Sequence, residues 1–389
     1  MQTHMTFIAS SSDSGPRPAD SRPSRARRTR AIAITAVVAS AALAGMGLVW
    51  LLAPGLNPFG NGSMASLLSE VSGPTVVAAV TLALAVAGLA LAMLFARGDR
   101  DPHRVLNGVG AAAVAVAIGL TLGSMGIIAY AGYLFGFAAV AAGVFTIIVT
   151  LVRAPRLGLL LLAGVVVVTS AAVWLAGLTL DGLVEFAVAF SSALAADAPN
   201  LAVAAVVVVD ALACAAIAIT ELHAAPAGQR FEAWLVRHRR MLTVLAALGP
   251  LPYAVARASW LTPWPLFGPE AAGIPPAMLT TGLMLGAGAV AASLLTLGLI
   301  LPWGRRFPRW MPRIGGRPVP TAGAVVPGSI AAAVLCVSAV PMFVTVVGRP
   351  GAVIDGLVVN LVLPLWFWGP MLALAVWAYA AWRGAEDGE

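Results

Sequence analysis

The chain has 389 residues, 60% of them hydrophobic and only 10% charged, with a mean hydropathy of +0.94. That is more apolar surface than a water-soluble fold can hide. All 23 lysine-plus-arginine positions are arginine, set against 16 acidic residues, so any mechanism that needs a lysine, including a Walker A loop, is excluded.

Residues 1–30 are rich in Ser, Pro and Arg without apolar periodicity and read as a disordered basic tail. The run Ala31–Ala53 is too long for a signal-peptide core and reads as the first transmembrane helix. Further runs near the roughly 20 residues that cross a bilayer occur at Pro74–Ala96, Val105–Gly123, Leu134–Val152, Arg156–Leu178, Leu201–Glu221, Met241–Leu261, Ala277–Leu301, Ala324–Val347 and Leu357–Ala380. The expected fold is therefore an all-α, polytopic transmembrane helix bundle of about ten spans over residues 31–383, with a short tail at 384–389. Gly123, Ser124, Gly126 and Gly132 mark the division inside the apolar stretch 105–152.

On this layout every arginine except Arg257 and Arg349 falls on one side. The positive-inside rule makes that side the cytoplasm, with both termini there and the bacterial plasma membrane as the location. The region between Glu221 and Met241, with Arg230, Arg237, Arg239 and Arg240, reads as an inner loop. The longest outer loop, Thr179–Asn200, carries Asp181, Glu185 and Asp197, with Leu183, Phe186, Phe190 and Leu194 at helical spacing. It reads as a short amphipathic helix on the outer interface. Trp260 and Trp264 read as interfacial aromatic anchors.

Residues 302–320 spell PWGRRFPRWMPRIGGRPVP. Prolines prevent a long helix here, while Trp303, Trp310, Arg305, Arg306, Arg309, Arg313 and Arg317 form a surface suited to anionic lipid headgroups or to a docked protein. In the last span, Pro364 and Pro370 flank Trp366 and Trp368. This helix is expected to kink at mid-membrane and place two rings there, as a cavity wall or as packing. Small-residue pairs, Gly119 with Gly123, Gly132 with Gly136 and Gly282 with Gly286, would let helices approach closely.

Asp210 and Arg257 are the charges well inside spans. An ionised side chain at the bilayer centre costs roughly 2.5–3.5 kcal/mol on insertion scales, so it faces the bundle interior and has a partner. With both helices straight, the two residues lie within about 7 Å of the same depth. Asp210, Cys214 and Glu221 share one face of their helix, and Pro250, Tyr253 and Arg257 share one face of the next. Asp210, Glu221, Tyr253 and Arg257 are thus a candidate polar intramembrane site. It is either a proton or cation site entered past Glu221, with Arg257 tuning it or binding an anion, or a buried contact that fixes helix register.

Cys214 and Cys336 show no disulfide or metal spacing, no histidine lies in a span, and no H-E-x-x-H, C-x-x-C or G-x-S-x-G motif occurs. No enzymatic activity, cofactor or nucleic-acid partner is expected. The segment GPLPYAVARASW, residues 249–260, together with the loop 302–320, resembles a family of uncharacterised multipass membrane proteins common in actinobacteria. That resemblance covers about the last third of the chain and implies the membrane fold without an activity. Two functions remain: a small-solute transporter or permease, proton-linked through Asp210, and a non-catalytic membrane subunit or scaffold that docks a partner, or a second copy, on the loop 302–320.

Overall fold

The computed structural model describes residues 25–60, 64–97, 103–176, 188, 191–192, 194–267, 276–307, 315–347 and 353–386. It is an all-α bundle. The helices are α1 (Arg25–Leu52), α2 (Leu67–Val71), α3 (Pro74–Ala96), α4 (Arg104–Leu122), α5 (Met125–Arg153), α6 (Pro155–Ala176), α7 (Ala198–Leu222), α8 (Pro226–Leu248), α9 (Leu251–Ala258), α10 (Pro276–Leu297), α11 (Thr321–Val347), α12 (Val353–Val362) and α13 (Leu365–Glu386). Among the described residues, seven helical stretches are long and apolar enough to cross a membrane, and α5, α6 and α10 contribute shorter apolar stretches.

The bundle is apolar on its outside, and its inside combines small residues with larger ones such as Leu43, Met64, Ile118 and Tyr379. Val38, Leu106, Val116, Leu160 and Leu294 stand exposed on outer helix faces, while Ala36, Ser40, Ala85, Ala92 and Ala111 are buried between helices. A lipid-facing surface accounts for the apolar outer faces, and the small buried residues let helix backbones approach closely. One packed unit contains α1, α3, α4 and α7; a second contains α8, α10, α11 and α13. Helix α11 joins them by also packing against α4, α5 and α7.

Several boundaries differ from the sequence reading. Helix α1 starts at Arg25, so the last residues assigned to a disordered tail are helical; residues 1–24 lie outside the described residues. The division between α4 and α5 is one tight turn: α4 stops at Leu122, and Ser124 caps α5 by accepting the Gly126 N–H at 3.1 Å. Gly126 and Gly132 lie inside α5. The turn seats on α11 because Gly123 has no side chain; a Cβ there would lie 2.1 Å from the Val337 carbonyl oxygen.

The region read as an Arg-rich inner loop is helical instead. Arg230, Arg237, Arg239 and Arg240 all lie on α8, which follows α7 after a three-residue turn at 223–225. Phe231 stacks on Trp234 and meets Trp377 of α13 edge-on, so the amphipathic half of this helix is fastened to the second unit. Most of the amphipathic helix expected between Thr179 and Asn200, with Leu183, Phe186 and Phe190, lies outside the described residues. Asp197 is described: it accepts hydrogen bonds from Tyr130 of α5 and, at 2.6 Å, from Asn200.

Candidate functional site

Asp210 sits on the buried face of α7 and is 0% exposed. The stripe predicted for that helix is present: Asp210, Cys214, Ile217, Ala218 and Glu221 are all buried. Its partner comes from α1, where Ser40 donates its hydroxyl hydrogen to Oδ1 at 2.6 Å. Gly88 of α3 makes room for the contact, since a Cβ at that position would lie 2.9 Å from Ser40 Oγ and 3.5 Å from Cys214 Sγ. Asp210 Oδ2 has no hydrogen-bond partner among the described residues. A carboxylate with one satisfied oxygen and one open oxygen, in a setting of alanine, glycine and valine, has an acceptor in place for a proton or a small cation.

One end of the same face carries a second polar group. Glu221 accepts from Arg104 Nη2 across to α4 at 3.3 Å, with side-chain exposures of 7% for the acid and 20% for the base. Gly108 permits this approach, because an added Cβ would meet Glu221 Cβ at 3.0 Å. One turn from Arg104, on the buried stripe that continues through Ala111 and Val114, lies Asn107. It is 4% exposed, and neither atom of its amide has a hydrogen-bond partner among the described residues. Asp210 and Glu221 are eleven residues apart, about 16 Å along the helix, so the polar face has a charged pair at one end and an acid near its middle.

Asp210 and Arg257 do not pair, which corrects the joint site expected from depth alone. Straight helices were the premise, and α8 breaks at Gly249–Pro250. Pro250 and Pro252 carry no N–H, so the Ala246 and Leu248 carbonyls lose their helical donors. Helix α9 packs on α10. There Gly286 lies against Arg257 and Gly282 against the Trp260 ring. The Arg257 guanidinium lies over Tyr253, at 4.9 Å, and over Trp260, at 4.2 Å, so Tyr253 and Arg257 share a face as predicted but form an aromatic–cation cluster of their own. Trp260 is not a lipid-facing anchor: it is 6% exposed and donates to the Leu266 carbonyl at 3.2 Å. Trp264 is exposed.

The kink expected in the last span is a break. Helix α12 ends at Val362, Pro364 interrupts the ladder, and α13 begins at Leu365; Pro370 stays inside α13. Pro364 leaves the Asn360 carbonyl without its helical donor, and the Trp366 indole N–H supplies one at 3.4 Å. Trp366 faces outward at 56% exposure. Trp368 turns inward and covers Gly249, where a Cβ would lie 2.6 Å from the ring. Its ring thereby brings the two helix breaks together. Ser293 of α10 donates to the Ala247 carbonyl at 2.7 Å, beside the first break.

The loop 302–320 is fastened at its base to its own chain. Phe307 N–H donates to the Arg317 carbonyl, Val319 N–H to the Arg305 carbonyl, and Tyr379 Oη to the Gly304 carbonyl. Arg305 pairs with Glu386 at 3.3 Å, and the Trp303 ring covers Gly298. Arg306 and Pro318 face each other as an antiparallel bridge. Arg309, Trp310 and Arg313 lie outside the described residues.

Sequence reasoning missed Ser40, Arg104 and Asn107. Asn107 was visible as a polar residue inside an apolar run, whereas Ser40 among alanines carries no signal and no spacing rule links Arg104 to an acid 117 positions later. Among the described residues no group of three His, Cys, Asp or Glu side chains is placed to hold a metal ion. No protein family, curated protein or solved structure matches the chain.

Proposed function

We propose that the chain is a ten-span plasma-membrane transporter or permease of a small solute, with both termini cytoplasmic and with proton or cation coupling at Asp210. The observation that carries this reading is the carboxylate itself, fully buried in the first helical unit with one oxygen held by Ser40 and the other open. Ionisable groups in such places are costly and mark ion and proton pathways in membrane proteins. The Arg104–Glu221 pair closes the cytoplasmic end of the path, and the interruption at Pro364 gives the second unit a short stretch of irregular backbone between α12 and α13, a feature of cavity walls and moving gates.

The test is proteoliposome transport. Purified protein is reconstituted with a trapped pH-sensitive dye, a potassium diffusion potential is imposed, and small solutes are added singly. The expected result is solute-dependent proton or cation entry with wild type that Asp210→Asn lacks. Solute uptake that is equal in the two proteins would remove Asp210 from the mechanism, and the absence of any flux with wild type would sink the transporter reading.

A further inference from the structure

At the end of the bundle that carries Arg104 and Glu221, three separate segments meet on one indole. Trp382, near the end of α13, has the Arg239 guanidinium of α8 over its ring at 3.7 Å and the Arg305 guanidinium, from the turn after α10, over its ring at 4.2 Å. The ring face attracts cations through its quadrupole but neutralises no charge. Arg240 and Arg305 both lie close enough to oppose the charge on Arg239. Among the described residues a single carboxylate, Glu386, answers them. It bonds to Arg305 with both side chains nearly half exposed, where solvent weakens the pair. The Arg239 guanidinium makes no hydrogen bond or ion pair among the described residues, and the neighbouring Arg383 is turned to the Val319 carbonyl at 3.2 Å.

Two guanidiniums held over one ring, with more positive than negative charge among the described residues, suit an anion. A guanidinium over a ring face can keep N–H groups available at its edge, and arginine grips phosphate with parallel hydrogen bonds from that edge. The geometry points to a phosphate-binding site formed by Arg239, Arg305 and Trp382, whose ligand is the phosphodiester headgroup of an anionic phospholipid. A lipid phosphate lies at the depth where Trp and Arg side chains collect beside apolar helix ends. The site joins α8, α13 and the base of the loop 302–320, so an occupied site would clamp the last helix of the second unit.

Lipid binding to the full-length protein, measured by native mass spectrometry from detergent micelles, tests this. Micelles contain phosphatidylglycerol, phosphatidylcholine as the neutral control, or inorganic phosphate without lipid. The expected result is retention of phosphatidylglycerol by wild type, weakened about fivefold in Arg239→Gln and again in Arg305→Gln, the factor for one basic contact at a membrane surface. Arg237→Gln, on an exposed part of α8, retains wild-type binding. A matching pattern with inorganic phosphate keeps the site and reassigns its ligand to a soluble phosphate. Absence of binding by wild type in both arms, or unweakened binding in both variants, overturns the proposal. If Arg239→Gln fails to fold, Arg305→Gln carries the same decision.

Discussion

Ser40 and Asp210, 170 positions apart in the chain, are joined by a 2.6 Å hydrogen bond in which the serine donates to the buried carboxylate. The bond ties α1 to α7 at the level where Gly88 lets α3 come close. Ser40→Ala therefore removes the hydrogen bond made by a group that water cannot reach. Stability in detergent is expected to fall by about 1–2 kcal/mol, above the average for neutral contacts between membrane helices because one partner is a carboxylate. Thermal unfolding of the variant checks this, and an unchanged midpoint would show that another donor reaches Asp210.

The Arg104–Glu221 pair is asymmetric in burial, and the asymmetry fixes the order of two mutational effects. Arg104→Ala leaves an acid with 7% exposure facing α4 without this cation, whereas Glu221→Ala leaves a base that already has 20% exposure and a long flexible stem. Breaking a buried pair is costly mainly through the charge left behind, at about 3–5 kcal/mol where burial is deep. Arg104→Ala is expected to be the more damaging of the two in a thermal or denaturant assay. The reverse order would place the desolvated charge on the arginine.

Asn107 predicts an increase in stability. Its amide lies on the core-facing stripe of α4 with neither atom bonded among the described residues. Leucine fills a similar volume and needs no partner. Removing an unsatisfied buried polar group commonly ranges from neutral to a gain of about 1–3 kcal/mol. Asn107→Leu is thus expected to raise the unfolding midpoint in detergent. A fall would mean that the amide is satisfied, with water as the bridging group.

Asp210 was legible from sequence because a charge in an apolar run is conspicuous whatever lies around it. Its partner was not, because a serine in a run of alanines carries no signal until the helices are placed. The error with Arg257 has a different origin. Depth along a helix says nothing of which neighbour a side chain meets: past Pro250 and Pro252 the segment packs on α10, and Arg257 lies over Tyr253 and Trp260 instead. The same limit applies to α8: charge pattern alone read Arg230 to Arg240 as a loop, yet Phe231, Trp234 and Leu235 give that segment an apolar face that packs on α13. Helix existence follows from composition; helix course depends on where proline removes a donor and what supplies another.

Two glycines test whether the breaks are held by shape. At Gly249 an added methyl would meet Cβ and Cγ of Trp368 at 2.6–2.7 Å, the root of the side chain rather than its flexible end. Gly249→Ala must displace the ring or the helix, and overpacking of this kind costs about 1–3 kcal/mol. At Gly123 the obstacle is harder: the Val337 carbonyl oxygen at 2.1 Å, on a helix whose Pro341 has removed that oxygen's usual donor. Gly123→Ala is expected to be the more destabilising substitution, with loss of folded protein in detergent as its extreme. Gly45, on α1, has nothing within 4 Å of the place a methyl group would occupy, so Gly45→Ala is expected to gain up to about 1 kcal/mol from helix propensity. The three variants, compared by the yield of monodisperse protein and by unfolding midpoint, should rank Gly45→Ala above wild type, then Gly249→Ala, then Gly123→Ala. Equal behaviour of all three would mean that the turn at Gly123–Ser124 and the break at Gly249–Pro250 are set by their own backbones, without the contacts to Val337 and Trp368.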